Sequence, residues 1–136
     1  MADAKQKKPE SSAGNAARAW GATVAGWLVP GLGHLMLRKW GRAAVYFLCV
    51  GILAVAGLAL RGNIFSSHES DAFGVLGFLA DLGAGIFYFV ARFIENGGPD
   101  VSHAAGDYGT RLFATAGVLN LLCALDAHEI ARERKA

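Results

Sequence analysis

Asp81 is the residue whose presence most needs a reason. Between positions 72 and 93 the chain is apolar, and its only charges there are Asp81 and Arg92. A carboxyl group inside such a helix costs about 2.5–3.5 kcal/mol to insert and normally faces the interior of a helix bundle. Gly77, Asp81 and Gly85 recur every four residues, with Tyr88 one turn further, so they lie on or near one helix face. Ala116, Asn120 and Ala124 repeat the small-polar-small spacing in the last apolar run. Small residues on either side of a polar one let a second backbone approach closely. In an antiparallel hairpin Asp81 and Asn120 would differ in depth by about one turn, so the two are expected to meet. Two chemistries fit that meeting: a protonated, hydrogen-bonded carboxyl that holds helices together, or a station on a transport or proton path.

His34 completes the set of candidate intramembrane polar residues: Asp81, Asn120, His34 and Tyr88. It closes the stretch Trp27-Leu-Val-Pro30-Gly31-Leu-Gly33-His34, where Pro30 removes a backbone donor and the glycines loosen the chain. A kink or break is expected there, and backbone opened at that depth must be satisfied by protein or by water. His34 reads either as a satisfied interfacial residue or as a ligand or proton carrier.

The remaining chemistry-bearing residues form no motif. His68, Glu69 and Asp71 read as a loop, and Asp126, His128 and Glu129 as a solvated helix end, because neither group has the spaced partners of a metal site. Cys49 and Cys123 lie in apolar runs without CxxC spacing. There is no GxSxG, HExxH or P-loop, and Pro-Gly-Leu-Gly misses the dinucleotide fingerprint in spacing. No catalytic residue, cofactor or metal is therefore expected, and the chain reads as a non-enzyme. A net charge of +2 leaves no electrostatic footprint for nucleic acid.

The elements that must position these residues are helices in a bilayer. Of 136 residues, 54% are hydrophobic and 18% charged, with 18 glycines, which is too apolar and too glycine-rich for an ordinary soluble domain. An all-α integral membrane bundle is expected, with a disordered polar tail at 1–18, a membrane domain at 19–131 and a basic tail at 132–136. Its hydrophobic segments fall at about 19–37, 43–60, 71–95 and 109–130, each near the length that crosses about 30 Å of hydrocarbon. A turn at Gly97-Gly98-Pro99-Asp100 separates the last two.

Trp20 and Trp40 bracket the first segment at about one bilayer thickness, as anchors at opposite interfaces would, with Arg38, Lys39 and Arg42 beside Trp40. In the alternative, the first segment dips in and returns at Pro30. That puts Arg38, Lys39 and Arg42 on the side of the N-terminus and suits the positive-inside rule better. Four spans with both termini inside is the reading adopted from the sequence.

Gly26-Trp-Leu-Val-Pro-Gly-Leu-Gly-His34, followed by a basic turn and a second apolar run, resembles the two-transmembrane-helix domain family over about residues 19–61. The aromatic-Tyr-x-Gly that usually follows the His in that family is here Leu35-Met-Leu-Arg38. Over nearly the whole chain the resemblance is to small uncharacterised bacterial multi-pass membrane proteins, a family of unknown function. These open with a Trp-(Leu/Ile)-x-Pro-Gly-Leu-Gly-His helix and end with a Leu-Asn-Leu-Leu-x-x-Leu-Asp-Ala helix, here 119–127. The resemblance implies a bacterial cytoplasmic membrane and adds no mechanism. Two functions stand: association in the lipid bilayer with a second copy or a larger membrane protein through the Gly and Ala faces, or a small transport or proton-conducting element using Asp81.

Overall fold

Glycine and proline decide where the helices of this chain stop. The computed structural model describes residues 12–68, 70–94 and 104–133, in which every regular element is helical. The helices are α1 (Ser12–Leu28), α2 (Leu32–Met36), α3 (Trp40–Ala59), α4 (Ala72–Leu82), α5 (Ile86–Ile94) and α6 (Ala104–Glu133). The expected all-α bundle with a first helix broken at Pro30 and Gly31 is what forms. α3 and α6 are long and apolar enough to cross a membrane.

Two breaks shape the rest. At the first, Pro30 has no N–H to give and Gly31 adopts a left-handed φ of 82°. Gly31 also packs against the backbone of Ala43, where a Cβ would collide with the Ala43 carbonyl. The chain then turns back. Thr23 of α1 and His34 of α2 reach neighbouring residues of α6, His128 and Asp126, while Gly33 packs on Ala22 and Ala127. α1 and α2 therefore form a hairpin against one end of α6, the geometry of the dipping arrangement and not of a first segment that runs straight from Trp20 to Trp40.

One consequence corrects the tryptophan bracket. Trp20 stacks near His128, with ring centroids 4.9 Å apart, and Trp40 begins α3 beside the turn that follows α2. Both rings lie at the same end of the bundle, because sequence separation converts to depth only along an unbroken helix.

The second break was not expected. The segment read as one helix over 71–95 stops at Leu82 and resumes at Ile86, with Gly85 at φ 61°. The two pieces are bent by 110°, so α5 turns across the bundle instead of continuing the line of α4. The other boundaries differ less. α1 already begins at Ser12, within the expected tail, and residues 1–11 lie outside the described ones. α3 begins at Trp40, and α6 runs from Ala104 to Glu133, taking in part of the expected loop and of the basic tail. The Gly97-Gly98-Pro99-Asp100 turn and residues 134–136 lie outside the described residues.

α3 and α6 run antiparallel: Arg42 and Tyr46 reach Asp126, whereas Gly57 packs on Gly109 and Phe113. A broken pair of helices followed by a long one occurs twice in the chain, and α1 and α4 approach the two breaks from opposite ends of α6. α2 and α3 both finish in Schellman turns with an arginine in the left-handed position. Lys39 N donates to His34 O and Gly62 N to Gly57 O across Arg38 and Arg61. The core between the spans and α5 is built on Val50, Ala54, Ile64, Ala84, Ala91, Phe113 and Ala116. The outward residues of α3, among them Val45, Leu48, Ile52 and Val55, are large and apolar, as a lipid-facing surface requires.

The hairpin topology is open to thiol labelling. In a background with Cys49 and Cys123 replaced by alanine, Ala17→Cys and Arg38→Cys should react with a membrane-impermeant maleimide from the same side, and Ser67→Cys from the other. Labelling of positions 17 and 38 from opposite sides would restore a spanning first segment.

Candidate functional site

The tips of the two hairpins meet at Asn120. This residue is fully buried (0% exposed) in the middle of α6, on a face made of Ala116, Gly117, Cys123 and Ala124. Small side chains there admit the neighbouring backbones, so that Gly117 packs on Ala80 and Ala124 on Gly26. Asn120 Nδ2 donates to Trp27 O at 2.7 Å and to Gly83 O at 2.8 Å. These are carbonyls at the ends of α1 and α4, which broken helices leave without intrahelical donors. Trp27 returns the contact, its Nε1 donating to Leu82 O at 3.1 Å. Gly85 lies against Trp27 O and Leu28 O, where any Cβ would clash. Both helices point negative C-terminal ends at this place, and the amide and indole N–H groups offset them.

Asp81 and Asn120, expected to meet, serve different backbones. Asn120 spends its amide on the two breaks, and its Oδ1 has no hydrogen-bond partner among the described residues. Asp81, also 0% exposed, accepts from Phe65 N at 2.8 Å through Oδ2, and Tyr88 OH donates to Phe65 O at 3.4 Å. The peptide groups on either side of Phe65 belong to an extended stretch between α3 and α4 that folds back into the bundle. Ile64 enters the core, and Asn63 N is held by Thr110 Oγ1 at 2.8 Å. Phe65 itself covers Gly77.

His34 is brought to neither of these residues. It is 1% exposed, and its Nε2 lies 2.9 Å from Asp126 Oδ2. The same oxygen accepts from Arg42 Nη1 and Tyr46 OH, each at 3.3 Å, and the Tyr46 ring stands edge-on to the imidazole at 4.7 Å between centroids. One carboxylate oxygen thus joins α2, α3 and α6. Beside it, Thr23 Oγ1 gives its proton to Ala19 O, so the 2.9 Å contact with His128 Nδ1 requires that ring nitrogen to be the donor. Asp126 and His128, read from the sequence as a solvated helix end, are structural partners of α2 and α1. The usable signal was the i, i+4 pair Arg42 and Tyr46, which directs two donors from α3 to one place.

Past Asp126 a cleft of about 400 Å³ opens at this end, lined by Lys39, Arg42, Asp126, Glu129, Ile130 and Glu133. Trp20, Trp40, Arg38 and Lys39 are all exposed around it or on the adjoining turn. Pro30 and Gly33 are buried at the first break, and Gly77, Gly85, Ala116 and Ala124, expected to serve association, pack within the chain.

Two antiparallel helices long and apolar enough to cross a membrane, broken helices packed between them and polar side chains spent on their broken backbone define a helical membrane protein. The chain belongs to a family of unknown function, DUF6677, whose profile covers residues 21–136. No curated protein and no solved structure matches it.

Asn120→Ala should strand the carbonyls of Trp27 and Gly83 in a buried site, at about 1–3 kcal/mol for each lost acceptor contact. The loss is measurable as a lowered unfolding midpoint in detergent. A midpoint equal to that of the parent chain would show that the amide does not hold the breaks.

Proposed function

We propose that the chain is a non-enzymatic integral membrane protein that acts by association in the bilayer, with a second copy of itself or a larger membrane protein. The observation that carries this is α5. It turns across the bundle with only Tyr88 and Ala91 of its helix buried, and presents Phe89, Val90, Phe93 and Ile94 outward, Phe93 at 87% exposure. A lone apolar helix face at a steep angle to the spans gives a partner a ridge to pack on, where dispersion rather than hydrophobic burial drives contact. The membrane is that of a bacterial cytoplasm, a reading supported by the helical architecture and by the bacterial proteins its first helix resembles.

Transport is the second reading, favoured by one observation. Paired broken hairpins entering from opposite ends and meeting at a buried polar residue are the arrangement in which many transporters build their sites. Here Asn120 occupies that position, and Asp81 lies one turn before the second break.

Subunit counting in nanodiscs separates the two. Association predicts a defined oligomer or a captured membrane partner, lost when Phe89 and Phe93 are both changed to alanine, with no pH-driven flux in proteoliposomes. A monomer without a partner, together with flux abolished by Asp81→Asn, would overturn association in favour of transport.

A further inference from the structure

We propose that the cleft beside Asp126 binds the headgroup of an ethanolamine phospholipid. This goes beyond association through α5 and does not depend on it. The cleft lies between the first turn of α3, which carries Lys39 and Arg42, and the last turns of α6, which carry Asp126, Glu129 and Glu133. Because the two helices run antiparallel, a positive helix N-terminus with two cations faces a negative helix C-terminus with three carboxylates. Such a cleft is itself a dipole, and it suits a ligand carrying phosphate at one end and a cation at the other.

Part of this charge is already committed, and the rest is not. Arg42 is bonded to Asp126, whose Oδ2 also takes His34 and Tyr46, so the floor of the cleft is a fixed ion pair. Lys39, Glu129 and Glu133 form no ion pair among the described residues. Phosphate oxygens then fall to Lys39 and to the outer N–H groups of Arg42, and the ammonium to Glu129 and Glu133.

The chemistry of the walls selects among headgroups. Carboxylates bind a primary ammonium by hydrogen bonds, which a trimethylated ammonium cannot make. No aromatic residue lines the cleft to form the cage that choline requires. Glycerol and serine headgroups bring a net negative charge toward Glu129 and Glu133. A lipid source rather than a soluble zwitterion follows from position. Trp20 and Trp40 mark this end as an interface, and on another face of the same turns of α3 a separate apolar groove of about 270 Å³, lined by Trp40, Ala43, Phe47 and Pro30, offers an acyl chain a place to lie.

Native mass spectrometry of the full chain in detergent, titrated with dioleoyl phosphatidylethanolamine, phosphatidylcholine and phosphatidylglycerol, tests this. Retention of the ethanolamine lipid should exceed that of either competitor by about tenfold, a difference of about 1.4 kcal/mol. The double variant Glu129→Gln, Glu133→Gln should lose the preference while keeping the helicity and melting midpoint of the parent. Lys39→Gln should weaken binding of the phosphatidylethanolamine itself. Equal retention of the three lipids, or a preference that survives in the double variant, would overturn the proposal. Displacement of the lipid by an equal concentration of water-soluble phosphoethanolamine would overturn the lipid source.

Discussion

A helix broken inside hydrocarbon leaves carbonyl groups that lipid cannot satisfy, and the whole arrangement of this chain answers that constraint. Both α1 and α4 end in the interior, and their last carbonyls are taken by Asn120 and by the indole of Trp27. The extended stretch between α3 and α4 raises the same demand, met by Asp81, Tyr88 and Thr110. Asn120, Asp81 and Tyr88 are therefore each matched to a particular piece of irregular backbone. A carboxyl at such depth reads as a functional group from its insertion cost alone. Its bond to Phe65 N supplies a structural return on that cost.

The close approaches these bonds demand explain where the small residues fall. A hydrogen bond from α6 to the tips of two hairpins needs all three backbones within a few ångströms. Gly117 against Ala80, Gly26 against Gly33, and Gly57 against Gly109 provide the room. In lipid, where apolar burial gives little net drive, such packing is also a main source of helix cohesion. The glycines at 31 and 85 add a second requirement, since each turns the chain through a left-handed conformation while touching another backbone.

Much of this was legible in the sequence, and the failures have a common cause. Composition and apolar run length identified the helical membrane class, and proline marked the first break because it removes a donor wherever it stands. The second break escaped because Gly83-Ala84-Gly85 contains no proline and continues an apolar run, so its glycines looked like a packing stripe. Hydropathy measures length in residues and does not see direction, so a hairpin of two half-helices reads as a span. The same blindness separated Trp20 from Trp40 by a bilayer. The tie between His34 and Asp126, 92 residues apart, has no local signature.

The first hairpin also bears on how charge is distributed along the bundle. Residues 12–39 reach the middle of the bundle and come back, so Arg18, Arg38 and Lys39 start and finish on one side. From the start of α1 to the end of α3 every Arg and Lys, Arg42 included, lies at that same end, and the next cation, Arg61, stands just past the far end of α3. The first half of the protein can settle with its cations held at one end of the bundle, while the polar stretch from Arg61 and the start of α6, with Asp107 and Arg111, gather at the other.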